Sequence, residues 1–323
     1  MDQQLKELYC KTYGKRFTIG QKKKAAKQLM QDMQEVGYTC EIMKKRKGLS
    51  HCTNYFFGDT ANVKTIIAVP FDTPERKFWY RTKYLPLDGT TSNKKNTLPT
   101  YAPIMIAYLV VLLLLTVFGE HLKGTAYANY ASTGVFLFVL LMAYMLLQGF
   151  GNKTNYTRNS VSIVSAIEMA KQLNKDEKRE VGFLFLDANR GNYLGADSAS
   201  KIIEEEWHKS VEVIFLNCIA TGKDLVIGYN PANRKRAQEI LKYHPEHKEL
   251  PLMKLTEEMQ AYSVMFFFKR AIIIACGDLD EEEGLIVQGT GTGKDNVVDE
   301  QRVQEVQEMV LGFLKSRIAI RKK

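Results

Sequence analysis

Residues 181–197, VGFLFLDANRGNYLGAD, contain the pattern that decides the fold. Residues 181–185 form an uninterrupted apolar run, which is typical of a strand buried on both faces of a sheet. A polar turn containing Gly191 follows, and a helical pattern resumes after it. A strand that ends in such a turn before a helix is where α/β proteins usually position working residues. The sequence therefore indicates a functional position at Asn189 and Arg190, which lie in this turn.

The flanking sequence alternates between strand and helix patterns. An amphipathic helix is predicted over residues 18–38, where Gly37 marks its end. Residues 38–45 and 52–59 predict a β-hairpin joined by a basic turn. The remaining strands and helices are predicted at residues 64–72, 159–173, 181–187, 211–217, 224–229, 270–278 and 299–314. This alternation predicts a three-layer α/β/α domain with a mixed central sheet.

Two apolar segments interrupt this domain. Residues 102–119 and 130–149 contain no Asp, Glu, Lys or Arg, and each is long enough to cross a bilayer as a helix. The short link between them predicts a transmembrane hairpin, and residues 84–100 are predicted to be its polar, turn-rich lead-in. The predicted organisation is residues 1–100 as the first part of the domain, 101–150 as the hairpin and 151–323 as the remainder of the domain.

Basic residues flank the outer ends of the two apolar segments. Examples are Lys77 before the first and Lys153 after the second, whereas the link between them contains only Lys123. This asymmetry predicts that the soluble domain and both termini are cytoplasmic. No apolar stretch follows Met1, so no cleavable signal peptide is predicted. The expected location is the cell membrane of a bacterium, with two spans.

The composition argues against two other classes of protein. Five cysteines are dispersed without C-x-x-C spacing, which argues against a disulfide framework and against a structural zinc site. The net charge of +9 could indicate nucleic-acid binding, but no nucleic-acid motif accompanies it. Basic residues beside a membrane segment are more simply explained as topology signals or contacts with anionic lipid. We therefore expect the bilayer, and no nucleic acid, as a partner.

Five stretches resemble, in order, the motifs of the di-zinc aminopeptidases of metallopeptidase family twenty-eight. They are IIAVPFDTP, TRNSVSIVSAIEMAKQL, VGFLFLDANRGNYLGAD, VEVIFLNCIATG and GTGTGKDNVVDEQRV. The similarity covers roughly residues 15–80 and 150–320, nearly all of the soluble sequence. It implies a zinc-exopeptidase-like fold. In such enzymes histidine nitrogens and carboxylates hold two zinc ions, and a further glutamate is the general base.

The metal ligands that the resemblance implies are replaced in this chain. Pro70 stands at the position of the first histidine, and Arg158 stands at that of the bridging aspartate. Asn217 stands at the position of a later ligand aspartate, and Gly291 lies near that of the last histidine. Arginine has no lone pair to donate to a metal at ordinary pH. We therefore expect no metal, no other cofactor and no catalytic residue.

The turn after residue 187 departs from the family pattern in the same way. Asn189 replaces the general-base glutamate, and Arg190 replaces the ligand glutamate beside it. Asp72, which in the family orients a metal-bound histidine, is retained without an imidazole to orient. Two uses of Arg158 and Arg190 stay open. One is structural pairing with Asp72 or Asp187, and the other is a pocket for an anion or a peptide carboxylate.

These replacements predict a catalytically inactive, membrane-anchored protein with an aminopeptidase-like fold. The expected role is that of a scaffold or regulatory subunit for another membrane or cytosolic protein. Ala131, Gly134 and Ala143 in the second span would permit close packing of a partner helix. The alternatives are a residual zinc-dependent aminopeptidase with rearranged ligands, and an anion- or peptide-carboxylate-sensing module that uses Arg158 and Arg190.

Three other motifs lack the residues that their chemistry requires. GTGTGKDN has Gln288 where a phosphate-binding loop needs its first glycine, and Asp295 where the loop needs a hydroxyl. The acidic residues 277–284 lack the spaced ligands of a calcium loop and are predicted to be a solvated turn. His244 and His247 lack a third zinc ligand nearby and are predicted to lie in a surface loop.

Overall fold

The structure of the chain, a computed structural model, describes residues 1–48, 50–78, 82–122, 124, 128–188 and 193–321. The strands of these residues are β1 (Cys40–Lys47), β2 (Ser50–Phe57), β3 (Thr65–Pro70), β4 (Lys83–Tyr84), β5 (Val181–Leu186), β6 (Glu212–Asn217), β7 (Asp224–Tyr229), β8 (Leu252–Lys254), β9 (Ala271–Asp280) and β10 (Gly284–Gln288). The α-helices are α1 (Gln3–Lys6), α2 (Ile19–Glu35), α3 (Gly89–Leu122), α4 (Ala128–Gln148), α5 (Val161–Lys171), α6 (Lys175–Glu180), α7 (Leu194–Lys201), α8 (Arg234–Leu241), α9 (Glu257–Gln260) and α10 (Glu300–Arg321).

The strands form one mixed sheet, as the sequence predicts. Its order is β1-β2-β5-β3-β6-β9-β10-β4, and β7 joins β8 to β9 beside this path. Strands β5, β3, β6 and β9 run parallel to one another. Strands β2, β7 and β10 pair antiparallel with β5, β9 and β9. Because parallel strands end at the same edge, the residues that follow β3, β5 and β6 lie around one crevice.

Helices cover both faces of the sheet and bury two hydrophobic cores. In β6, Ile214 and Leu216 belong to one core, which also contains residues of α2, α5 and α10. Val213 and Phe215 belong to the other core, which contains residues of α7. Burial on both faces explains why the central strands are apolar at every position rather than at alternate positions. The three layers are therefore confirmed.

Most predicted elements are confirmed within a few residues. Helices α2, α5 and α10 occupy the predicted helical stretches, and β1 with β2 forms the predicted hairpin. The start of α2 is fixed by a capping box, in which Thr18 Oγ1 accepts from Gln21 N and Gln21 Oε1 accepts from Thr18 N. The short strands β4, β8 and β10 have no counterpart among the predicted strands. The predicted acidic turn over residues 277–284 is confirmed only for residues 281–283, which join β9 to β10, because residues 277–280 continue strand β9.

The interruption of the domain is helical, but its bounds differ from the prediction. Helix α3 already begins at Gly89, so the expectation that residues 84–100 form a turn-rich lead-in is wrong for most of that stretch. These polar turns of α3 bind the globular domain, since Thr90 Oγ1 donates to the carbonyl oxygen of Glu258 at 2.5 Å. Helix α4 lies close to the predicted second span and packs against α3.

Among the described residues, one helix, α3, is long and apolar enough to cross a membrane. The candidate span is Gly89–Leu114, with 11% of its apolar window buried in the chain. Helix α4 contributes the shorter apolar stretch Thr133–Tyr144. Large apolar side chains point outward from both helices, and Leu113 and Phe136 are 63% and 62% exposed. Such a continuous apolar surface is typical of a membrane or protein interface.

Candidate functional site

A cavity of about 160 Å³ opens at the edge of the sheet where the parallel strands end. Pro70 is the last residue of β3, and Asn217 is the last residue of β6. Asp72 follows β3 by two residues, and Arg158 lies in the π-helical turn Tyr156–Ser160 that precedes α5. All four line the cavity. The structure thus brings together four of the seven positions that the sequence singles out.

The other three positions differ in where they lie. Asn189 and Arg190 are outside the described residues. Gly291 lies behind the cavity wall, where its carbonyl oxygen accepts a hydrogen bond from Lys77 N at 2.8 Å. The φ angle of Gly291 is +75°, and a Cβ atom there would lie 3.0 Å from the carbonyl oxygen of Glu75. Glycine is therefore needed at this position for the close approach of two backbone segments.

Arg158 supplies a permanent positive charge to the cavity. Its guanidinium lies over the ring of Tyr84, with the central carbon 3.2 Å from the ring centroid, and the Tyr84 hydroxyl accepts from Asn217 Nδ2 at 3.1 Å. Burial acts to lower the pKa of Arg158, but neighbours led by Tyr84 and Cys218 outweigh burial and raise it. No ion pair joins Arg158 to a carboxylate of the described residues, so its charge is directed to the cavity.

Lys77 is the second cation of the cavity. It is 7% exposed, and its ammonium group donates to Asn96 Oδ1 on α3. Burial, followed by the charge of Arg158, lowers the pKa of Lys77 to about 7. The positive charge of this wall therefore depends on pH near neutrality. Asp72 and Glu75 also line the cavity, and each already interacts with another group of the chain.

Asp295 anchors the turn that carries Arg158. Its Oδ1 accepts from Thr157 N at 2.8 Å, and its carbonyl oxygen accepts from Tyr156 N at 2.9 Å. Burial raises the pKa of Asp295 to about 6, although the hydrogen bonds from Thr157 act in the opposite direction. In the sequence, Asp295 is notable only because it occupies the position where a phosphate-binding loop needs a hydroxyl group. In the structure it positions Arg158.

The first turns of α3 form the wall opposite the strand ends. Ser92, Asn96 and Thr100 lie on one side of the helix and line the cavity. Asn96 Nδ2 donates to the carbonyl oxygen of Ser92 at 2.6 Å, and Ser92 Oγ accepts from Leu85 N at 3.2 Å. The same helix continues into the apolar segment. The cavity and the apolar hairpin therefore share one continuous element.

The donor atoms around the cavity do not fit the two zinc ions that the resemblance implies. Zinc in proteins is held by histidine nitrogens, cysteine sulfurs and carboxylate oxygens. Pro70 offers none of these, and the Asn217 amide nitrogen is directed to Tyr84. The Arg158 charge repels a divalent cation. Within the described ranges, no group of three His, Cys, Asp or Glu side chains could hold a metal ion.

Of the pairings considered for the two arginines, that of Arg158 with Asp187 is not formed, and those of Arg190 lie outside the described residues. Lys22 on α2 donates to Asp187 Oδ1, and Thr53 N donates to Asp187 Oδ2 at 3.0 Å. Asp187 is thus engaged by neighbours from α2 and β2. Arg158 instead lies against an aromatic ring, where a guanidinium is stabilised by the π electrons without neutralisation of its charge.

Comparison with known proteins identifies the fold. No family model and no curated protein sequence matches the chain. A Zn-dependent exopeptidase from Parabacteroides distasonis is similar with a TM-score of 0.59 over 96% of this chain and 97% of its own, at 12% identity. A glutaminyl cyclase from Bacteroides thetaiotaomicron gives 0.58 over 96% and 94%, at 12% identity. A leucine aminopeptidase precursor from the same organism gives 0.56 over 96% and 93%, at 11% identity. The chain has a zinc-exopeptidase-like fold.

Two residues that line the cavity are not identified as site residues by any pattern in the sequence. Lys77 and Tyr84 lie between β3 and α3, Tyr84 in the short strand β4, and both are outside all five family-like motifs. The sequence places Lys77 among the basic residues that flank a membrane span, which accounts for its charge but not for its burial. No pattern marks Tyr84, because its role depends on the two-residue pairing of β4 with β10.

Proposed function

We propose that the chain is a membrane-anchored, non-hydrolytic protein that uses the aminopeptidase-like fold as a scaffold or regulatory subunit for a membrane or cytosolic partner. The observation that supports the absence of hydrolytic activity is the position of Arg158. A guanidinium lies in the crevice at the strand ends, and the sequence resemblance matches Arg158 to the carboxylate that bridges two zinc ions in the family. A protein of this fold with a fixed cation there cannot activate water on a metal pair.

The membrane part of the proposal is supported by the exposed surface of α3 and α4. Both helices present large apolar side chains to their surroundings, and the outer ends of the hairpin are rich in basic residues. We propose that both helices span the membrane as a hairpin and that the soluble domain and both termini are cytoplasmic. Because α3 also forms a cavity wall, the domain is held at the membrane surface rather than on a flexible tether.

Zinc content and turnover test the non-hydrolytic proposal. The full chain, purified in maltoside detergent and dialysed after exposure to zinc, is expected to retain far less than one zinc ion per chain. Its turnover of aminoacyl p-nitroanilides is expected to equal that of the Asp72→Ala variant, since Asp72 has no metal-bound histidine to orient. Two zinc ions per chain, together with turnover that Asp72→Ala abolishes, would establish the residual aminopeptidase instead.

Co-purification tests the partner proposal. A Cβ atom added at Gly134 of α4 would have no heavy atom from other described parts of the chain within 4 Å, so we expect Gly134→Leu to preserve the fold but to block close approach of another helix. We expect a partner that co-purifies with the native chain to be lost with Gly134→Leu. It should be retained with Phe136→Leu, a change between apolar residues at another exposed position of α4. A chain that purifies alone, at full yield and from its native membrane, contradicts the scaffold role.

A further inference from the structure

The two cations of the cavity are available to a ligand. Lys77 is almost completely buried, and Arg158 is held by the ring of Tyr84 rather than by a carboxylate of the described residues. The acidic residues Asp72 and Glu75 each interact with another group of the chain, and the charge of Glu75 also acts on both cations, which acts to raise the pKa of each. An ammonium and a guanidinium that converge on one cavity provide the donors that bind phosphate and carboxylate groups.

The residues around Lys77 connect the cavity with the end of α4. In the 74–78 segment, which carries Lys77, Arg76 N donates to the carbonyl oxygen of Phe150 at 2.5 Å. The carbonyl oxygen of Pro74 accepts from Asn152 N at 3.1 Å. The 74–78 segment is therefore joined by two backbone hydrogen bonds to the chain that leaves the hairpin.

The 74–78 segment also contacts α3 near its two prolines. Pro103 has no N–H group, so the carbonyl oxygen of Pro99 lacks its helical donor. Phe78 N points to this oxygen at 3.5 Å. The Lys77 ammonium binds Asn96, one turn earlier on the same helix. The segment thus contacts α3 and the chain that follows α4, with its buried cation on the cavity side.

We propose that the cavity binds an oxyanion group, a phosphate or a carboxylate, between Lys77 and Arg158, and that the 74–78 segment transmits its binding to the hairpin. This inference rests on the proposed function, because a zinc-loaded site would leave no room for it. An anion attracts the Lys77 ammonium away from Asn96. The shift alters the contact of the 74–78 segment with α3 and with the chain after α4.

The size of the cavity restricts the ligand. A volume of about 160 Å³ is sufficient for a phosphate or a small carboxylic acid. The cavity is open at the edge of the sheet, so the anionic end of a larger molecule could also enter it. Because Tyr101 lines the cavity and the apolar segment begins at the next residue, the headgroup of an anionic lipid and a free anion are both possible sources.

Binding of an oxyanion should weaken as the pH rises from 6 to 8. The titratable groups that act on Lys77 are Arg158, Glu75, Asp295 and Cys218. Burial raises the pKa of Asp295 to about 6 and that of Cys218 to about 12, so Asp295 gains its negative charge in this range while the thiol stays neutral. Lys77, with a pKa of about 7, loses its positive charge in the same range. Both changes disfavour an anion.

Calorimetric titration of the full chain in maltoside with inorganic phosphate and with acetate tests the site. We expect saturable binding at pH 6, and the binding of acetate, whose own charge does not change over this range, should weaken at least fivefold at pH 8. Arg158→Gln should weaken it at least tenfold, and Arg158→Lys should restore part of it because the charge is kept. Arg76→Gln, which removes an exposed charge from the same segment, should change it less than twofold. Saturable binding by a short-chain phosphatidic acid, but by neither free anion, would assign the lipid source.

Hydrogen–deuterium exchange on the same samples tests the transmission. Addition of phosphate, or of the phosphatidic acid if that is the ligand, should change the exchange of amides in residues 75–78 and 96–104. These changes should be absent in Arg158→Gln. The proposal is overturned if none of the three ligands binds, if Arg158→Gln binds as well as the native chain while its thermal unfolding is unchanged, or if binding leaves these amides unaffected. None of these results depends on zinc content, so failure here is distinct from failure of the non-hydrolytic proposal.

Discussion

At the scale of single residues, Lys77 shows a conflict between stability and charge. An ammonium in a buried site beside a guanidinium costs folding free energy, which is why its pKa is lowered to about 7 from an ordinary value of 10.5. On unfolding, Lys77 takes up a proton at any pH between these two values. Its cost to the folded state is therefore largest below pH 7 and decreases as the pH rises from 7 toward 10.5. A chain selected for stability alone would have an apolar side chain there.

Replacement of this lysine should therefore stabilise the protein in a pH-dependent way. We expect Lys77→Met to raise the free energy of unfolding by about 2 kcal/mol at pH 6 and by clearly less at pH 9, because methionine fills similar volume without a charge. Thermal unfolding in maltoside at the two pH values measures the difference. Lys94→Met provides the control, since the Lys94 side chain is 73% exposed and should show no such pH dependence. Equal effects of Lys77→Met at both pH values would contradict a buried, titrating ammonium.

At the scale of secondary-structure elements, the sequence was sufficient to predict a strand or helix wherever a single local pattern specified that element. The apolar run of β5 predicted a strand, which the structure confirms. The start of α3 could not be predicted in this way. Its first turns are rich in Ser, Thr, Asn and Pro, which favour turns in isolation. They become helical because contacts such as that of Thr90 with Glu258 come from the folded domain.

The two prolines within α3 predict a weak point in this helix. Each removes one backbone hydrogen bond, and they flank the point where the cavity-lining part of α3 passes into the apolar segment. With Pro103→Ala, the new N–H can donate to the carbonyl oxygen of Pro99, so amide exchange in residues 99–107 should slow at least tenfold. Mass spectrometry after deuterium labelling measures this. Pro231→Ala is the control, because a proline at the first position of a helical turn costs little. If amide exchange in residues 99–107 is unchanged in Pro103→Ala, the weak point of α3 does not arise from Pro103.

At the scale of the whole molecule, the fold is shared with zinc-dependent exopeptidases although few residues are identical. The chain superimposes on a zinc-dependent exopeptidase over 96% of its length at 12% identity. Packing of two apolar cores against a mixed sheet requires only apolar residues of suitable size, so it tolerates such divergence. A metal pair requires particular donor atoms at particular positions. The sequence therefore predicts the architecture and the unusual residues at the strand ends. Only the folded structure shows that Lys77 lies beside Arg158.

The orientation of the whole chain in the membrane can be tested by labelling cysteines that are introduced at exposed positions. Four of the five native cysteines, Cys10, Cys52, Cys218 and Cys276, are buried, and Cys40 is partly exposed. In intact cells, a membrane-impermeant maleimide should label Gly124→Cys, in the link between α3 and α4, but not the native chain. Ser50→Cys, at an exposed position of the β1–β2 hairpin, should be labelled only after permeabilisation. This result is expected because the basic residues flank the outer ends of the hairpin and so retain those ends in the cytoplasm. Labelling of Ser50→Cys, but not of Gly124→Cys, in intact cells would mean that the domain with its cavity faces the outside.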